Sequence, residues 1–265
     1  KNMIIIGEKI NTSRKSVAEA VKNRDGDFLS NLAKSQEEAG ASYIDVNVGT
    51  FIKTEPEDMA WVVETISKDL NIPLSIDSPN PKVVESGLGV LNKPALINSI
   101  SLEKKRFDGI LPLVKEFECP VIALLIEDGN MPDDTASKMK IAHGLIGKLK
   151  NNGIDDNRIF VDPMVKPLST SMAGLADILG FVKLFREKYP RIHLLCGLSN
   201  VSFGLPNRGI INRAFLVMMM ILGVDAVICN PLDKELIGLV AAQEALAGKD
   251  EYCMNYIKLS REGKI

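Results

Sequence analysis

The sequence has few of the residues that staple or metallate a protein. It carries four cysteines, Cys119, Cys196, Cys229 and Cys253, with no C-x-x-C pair, and two histidines, His143 and His193. The spacings of a structural zinc site or of an HExxH helix are missing, so protein-bound metal chemistry is not expected. Charge of one sign is lacking as well: 32 Lys and Arg against 34 Asp and Glu leave a formal net charge of −2, with the basic residues scattered. That balance offers no electrostatic footprint for a nucleic-acid backbone, and no nucleic-acid partner is expected. The longest strongly apolar run, Ala214 to Val224, falls far short of the roughly 20 residues needed to cross a bilayer. The start of the chain also lacks the basic, apolar, small-residue order of a secretory signal, and we expect a cytoplasmic chain without a membrane partner. A Gly/Ser-rich linker and low-complexity tracts are absent, which points to one domain over residues 1–265.

What is present is a repeat of two alternating patterns. Short aliphatic or β-branched runs recur at Met3–Ile6, Tyr43–Val46, Leu74–Ile76, Ala95–Ile97, Val121–Leu125, Ile159–Val161, His193–Cys196 and Ala226–Ile228. Most are continuously apolar, as strands buried on both faces should be. Between them lie stretches with helical periodicity and punctuation. Asp27 precedes Phe28, Leu29, Leu32, Ala33 and Gln36, with Gly40 as a C′ residue. Thr54 to Leu70 opens on Glu-Pro-Glu-Asp, placing proline and acids in a first turn where the missing N–H and the helix dipole suit them. Met139, Ala142, Ile146 and Leu149 form an amphipathic stripe ended by Asn152-Gly153. Eight such units in about 250 residues match the size of a (β/α)8 TIM barrel. A doubly wound sheet is the alternative, but its phosphate fingerprint is missing: Gly87-Leu88-Gly89-Val90-Leu91-Asn92 ends in Asn and precedes a strand.

In a barrel the chemistry is built where the strands end. Those ends are polar and nearly neutral: Gly7-Glu8-Lys9-Ile10-Asn11, Asn47-Val48-Gly49, Asp77-Ser78, Asn98-Ser99, Asp162-Pro163, Gly197-Leu198-Ser199-Asn200 and Asn230-Pro231. Asp77, Asn98, Asp162 and Asn200 would bring carboxylate acceptors together with amides that both donate and accept, a set suited to a flat heterocycle with N–H and C=O edges. Singly, each also reads as an ordinary turn former after a strand. No Gly-rich loop with Lys or Arg follows the seventh or eighth run, which disfavours a phosphate site, and no Schiff-base lysine stands there. Asp77 and Asp162 could flank a glycosidic bond, but one Trp and four Tyr provide few platforms for sugar rings. His193 reads as a barrel-wall residue, Cys196 and Cys229 as small buried apolar residues, and Met218-Met219-Met220 as helix packing or, where exposed, an oligomer contact.

Six ordered motifs carry a specific resemblance over essentially the whole chain: Ile6-Gly7-Glu8-Lys9-Ile10-Asn11, Ile44-Asp45-Val46-Asn47-Val48-Gly49, Ser75-Ile76-Asp77-Ser78, Ile97-Asn98-Ser99, Val161-Asp162-Pro163 and Gly197-Leu198-Ser199-Asn200-Val201-Ser202. Together they resemble the pterin-binding methyltransferase family. Within it they resemble the methyltetrahydrofolate:corrinoid protein methyltransferases, including tetrahydrofolate-dependent components of O-demethylase and glycine betaine systems. Asn207-Arg208 and Ile211-Asn212-Arg213 continue the likeness. The same barrel occurs in dihydropteroate synthase and in the folate module of cobalamin-dependent methionine synthase.

The resemblance implies a pterin-binding TIM barrel that transfers a methyl group between N5 of tetrahydrofolate and the cobalt of a corrinoid. Tetrahydrofolate or 5-methyltetrahydrofolate is then the substrate, and the cobalamin rides on a separate corrinoid protein. Asp77, Asn98 and Asp162 become hydrogen-bonding partners of the pterin ring and Asn200 the catalytic amide near N5. Gly197 and Ser199 line the pocket by backbone, Arg208 lies near the folate, and Glu8, Asn11, Asp45 and Asn47 shape the mouth. Phe203 is a departure at the binding site, because the acetogenic members have Gln three residues after the equivalent of Asn200. A homodimer is implied in the same way. The alternatives are a dihydropteroate synthase-like enzyme, which would need a basic diphosphate site, and a non-catalytic folate-binding component of a methyltransferase complex.

Overall fold

The computed structural model describes residues 2–128, 132–171 and 173–265. Eight parallel strands close into a barrel in chain order, β8 pairing with β1. They are β1 (Ile4–Asn11), β2 (Tyr43–Asn47), β3 (Leu74–Asp77), β4 (Leu96–Ile100), β5 (Val121–Leu124), β6 (Ile159–Asp162), β7 (His193–Gly197) and β8 (Ala226–Cys229). The helices in chain order are α1 (Lys15–Lys22), α2 (Gly26–Glu38), α3 (Glu55–Ser67), α4 (Pro81–Leu88), α5 (Lys104–Glu116), α6 (Thr135–Asn151), α7 (Ala173–Lys188), α8 (Arg208–Ile221), α9 (Lys234–Leu246) and α10 (Met254–Arg261). The TIM barrel expected from the repeat is the fold observed. Among the described residues no helix is long and apolar enough to cross a membrane.

All eight apolar runs are strands, but seven continue past the end that hydropathy suggests, β1 as far as Asn11. The reason is that backbone pairing does not depend on side-chain polarity, so the ladder runs on into residues whose polar side chains face the barrel interior. The helix starting near Asp27 begins at Gly26 and is capped by Asp25, whose carboxylate accepts the Phe28 N–H at 3.0 Å. Gly40, with φ of +98°, ends it as expected.

Strand pleat and register sort the side chains into two sets. Ile44, Val46, Ile76, Ile97, Val121, Val161, Leu194 and Val227 point outward into the layer shared with the helices. The alternate residues Ile6, Leu96, Ile122, Phe160, Leu195 and Ala226 fill the lower interior. Cross-strand pairs lie on the same face, and the pairs Asp45 with Ser75, Asp77 with Asn98, Asn98 with Ile122, and Ile122 with Phe160 therefore place all of these on the interior side. Two residues beyond Phe160 the same side brings Asp162, and two beyond Leu195 it brings Gly197. The interior thus changes from apolar to polar along the strands, and the polar end is the carboxyl end.

Candidate active site

The strand ends form two linked groups. On the β2, β3 and β4 side, Asp45 Oδ1 accepts the Ser75 hydroxyl at 2.7 Å and the Asn98 side-chain N–H at 3.2 Å. Asn47 donates its side-chain N–H to Asp77 Oδ2 at 2.8 Å and accepts the Gly49 N–H at 3.0 Å. Because its NH2 end is committed to Asp45, Asn98 has its carbonyl oxygen left to accept. Across the barrel, Asp162 Oδ1 accepts the Met164 N–H at 2.8 Å. Burial raises the pKa of both Asp77 and Asp162 to about 6, opposed by the Asn47 and Met164 hydrogen bonds respectively. Both are still mainly ionised at neutral pH. The Asp45 pKa is raised as well, first by burial and then by the neighbouring Asp77 charge. Asp77, Asn98 and Asp162 therefore present acceptors to one interior, which is complementary to a ligand edge rich in N–H donors.

The second group is the segment after β7. Leu198, Ser199 and Asn200 make one turn of 3-10 helix. Gly197 faces the interior, and a Cβ added there would lie 3.0 Å from Asn200 Nδ2. The missing side chain lets the Asn200 amide fold back over the mouth. Phe203, 65% exposed, stands on the rim, and its carbonyl accepts the Ser169 hydroxyl at 3.0 Å. The segment is braced from β1, two strands away around the barrel: Ser199 donates its hydroxyl to the Glu8 carboxylate at 3.0 Å. Burial raises the Glu8 pKa, against the lowering effects of the Ser199 hydrogen bond and of Arg14, Lys9 and Arg208.

Arg208 turns back onto this segment, its Nε donating to Ser202 Oγ at 3.0 Å and an Nη to the Ser199 carbonyl at 2.5 Å. With Lys9 and Arg14 it borders a cleft of about 250 Å3 between β1, β8 and the start of α8. The structure brings Asp77, Asn98, Asp162, Gly197, Ser199, Asn200, Phe203 and Arg208 to one end of the barrel. The sequence reading missed the acceptor network beneath them. Asp45 is not at the mouth but 5% exposed inside the barrel, and Ser75 was not singled out. The signal that could have found both is the two-residue step from Asp45 to Asn47 and from Ser75 to Asp77. Among the described residues no three His, Cys, Asp or Glu side chains are grouped to hold a metal ion.

Residues 7–230, from the end region of β1 to the end of β8, match the family model described as pterin binding enzyme. The chain belongs to the pterin binding enzyme family. It is 35% identical to the methylcorrinoid:tetrahydrofolate methyltransferase of Eubacterium limosum over 99% of this chain and 98% of that one. It is 27% identical to the methionine synthase of Mycobacterium tuberculosis, over 86% of this chain but only 20% of that much longer protein. Among solved structures, a pterin binding enzyme with the same barrel is the dihydropteroate synthase of Xanthomonas albilineans in complex with 7,8-dihydropteroate. The two superpose with a TM-score of 0.75 at 18% identity, covering 93% of this chain and 94% of that one, a likeness of fold alone.

Proposed function

We propose that this pterin binding enzyme is a methyltransferase acting between N5 of tetrahydrofolate and a corrinoid carried by a partner protein. The observation that carries the reading is the end-to-end identity with a methylcorrinoid:tetrahydrofolate methyltransferase, joined to a barrel interior that offers acceptors from Asp77, Asn98 and Asp162. A reduced pterin carries its N–H groups along one edge and needs such acceptors. When bound, the corrinoid supplies the cobalt that gives up or takes the methyl group.

The residues of this chain bind and orient. Asp77 and Asp162 accept pterin N–H groups, each interaction being worth about 1.5 to 3 kcal/mol in a desolvated site. Asn200, poised over Gly197, presents an amide that can accept from N5–H or donate to the N5 lone pair, so it serves either direction of transfer. Among the described residues no side chain at the mouth serves as a strong acid for N5, and orientation with distributed hydrogen bonding lowers the barrier. Phe203 offers an apolar face on the rim, and Arg208 acts on the folate by holding the Ser199–Ser202 segment and by adding positive charge to the cleft beside it. In this reading the protein works in the cytoplasm, and a second copy packs on α8, where Ile210, Met218 and Ile221 are exposed.

A dihydropteroate synthase-like reaction needs free cations for a diphosphate near β7 and β8. Here Arg208 is hydrogen-bonded to the loop, Arg14 lies 3.9 Å from the Glu8 carboxylate, and Arg213 is paired with Asp233 at 3.1 Å and Glu235 at 2.6 Å, so three of the cations on that side already have partners. The test is to mix the protein anaerobically with methylcob(III)alamin and tetrahydrofolate, following Co(I) optically and 5-methyltetrahydrofolate by mass. Matched growth of both is expected. Folate binding without either product, even with corrinoid protein added, would leave a non-catalytic binding component.

A further inference from the structure

Asp45 is 5% exposed on the interior face of the barrel, in register with Ser75 and on the same face as the apolar residues Ile6, Leu96, Ile122, Phe160 and Leu195. Burying it is costly unless its acceptors are used, and the two donors that use them are the Ser75 hydroxyl at 2.7 Å and the Asn98 NH2 group at 3.2 Å. Asn98 alone of the two lies on the next layer up, paired in register with Asp77. An amide side chain can rotate by half a turn about its last bond and exchange N–H2 for C=O in nearly the same volume. With Asp45 holding the N–H2 end, the carbonyl end is the one left for a ligand. Without Asp45 nothing in this contact distinguishes the two orientations, and a ligand N–H would meet a donor in one of them.

We propose that Asp45 is a specificity-determining positioning residue, which never touches the pterin but fixes Asn98 as a hydrogen-bond acceptor for a ligand N–H. The inference rests on the pterin reading of the site. Ser75 serves the same end from below, its hydroxyl holding the shared Asp45 oxygen in place.

The experiment is a double-mutant cycle on tetrahydrofolate affinity, read by calorimetry under anaerobic conditions, with melting temperature measured alongside. Asp45→Ala is expected to raise Kd about tenfold or more, the scale of leaving a buried polar group without its hydrogen-bond partner. Asp45→Asn keeps a carbonyl acceptor for both donors and is expected to stay within about threefold of wild type. In an Asn98→Ala background, Asp45→Ala should change Kd by less than about twofold while still lowering the melting temperature, because a residue acting through Asn98 has nothing left to act on. Should Asp45→Ala fail to fold, Asp45→Leu removes the acceptor while filling a space lined by Ile and Leu, and the same cycle applies. An equal loss of affinity in both backgrounds, or wild-type affinity in Asp45→Ala, overturns the role of Asp45 and leaves the pterin site standing. Wild-type affinity in Asn98→Ala overturns the pterin reading of that amide, and the role of Asp45 with it.

Discussion

Asp162 is buried with one oxygen committed to the Met164 N–H, and burial holds its carboxyl near pH 6 instead of 3.8. Between those values the folded protein keeps a proton that the unfolded chain has shed, so stability falls as pH rises through the window and the cost is complete above about 6. The cost at neutral pH is at most about 3 kcal/mol. Asp162→Asn is therefore expected to raise the melting temperature of the ligand-free protein at pH 7.5, with the gain vanishing at pH 4. The same variant, and more so Asp162→Ala, should bind tetrahydrofolate roughly 10- to 100-fold more weakly, since the ionised carboxylate is the better acceptor for a pterin N–H. In the wild type, folate affinity should fall as pH drops below about 6 and Asp77 and Asp162 protonate together. Titration calorimetry from about pH 5 to about pH 8 checks the sign. Asn200 is exposed and its loss should spare folding. Asn200→Ala is expected to lower kcat roughly 10- to 100-fold with little change in melting temperature, and full turnover would remove its catalytic role.

The elements matter through the way they deliver these side chains. Lys9 N–H donates to the fully buried Gln36 Oε1 at 3.0 Å, tying the bulged end of β1 to α2 next to Glu8. Gly7 makes room for that side chain: a Cβ there would lie 2.5 Å from Gln36 Oε1 and 3.3 Å from Pro231 Cγ. Gly7→Ala should cost about 1 to 3 kcal/mol in urea unfolding, because Gln36 must leave its partner or β1 must shift. The start of α3 braces β3 in a similar way, with Glu55 accepting the Ser78 hydroxyl at 2.7 Å beside Asp77. The acids at this helix start were legible from sequence as dipole partners, but one of them is also a strut under the active site. Met219 and Met220 pack into the core, as the helix reading expected, while Met218 stays 40% exposed on the outer side of α8.

At the scale of the whole molecule, the end of the barrel opposite the site holds a second charged network. Asp225 accepts from Arg186 at 2.5 Å, from the His193 ring at 2.9 Å and from the Leu194 N–H at 2.8 Å, and Arg186 also reaches the Gly223 and Ile192 carbonyls. Burial works to raise the Asp225 pKa, but the His193, Arg186 and Leu194 contacts outweigh it and hold the carboxyl below its ordinary value. The sign is opposite to that of Asp162: stability from Asp225 is present above the unfolded carboxyl pKa and is lost as pH falls through the depressed one. Asp225→Ala should destabilise the barrel by about 3 kcal/mol by leaving Arg186 without its counter-ion, and tetrahydrofolate affinity measured well below the melting temperature should be unchanged.

Sequence alone determined the eight strands, the helices between them and the chemical character of the strand ends, because hydropathy period and turn chemistry act over a few residues and are written locally. It also placed Asp77, Asn98, Asp162 and Asn200 at one end, since every strand of a parallel barrel points the same way. Which polar group answers which was decided only by tertiary structure. Asp45 meets Asn98 across 53 positions of chain, Ser199 meets Glu8 across 191, and Arg208 turns back to its own loop because that loop is already fixed by β1. These partners depend on strand register and on closure of β8 against β1, and no local pattern in the chain encodes a contact that exists only once the barrel has closed.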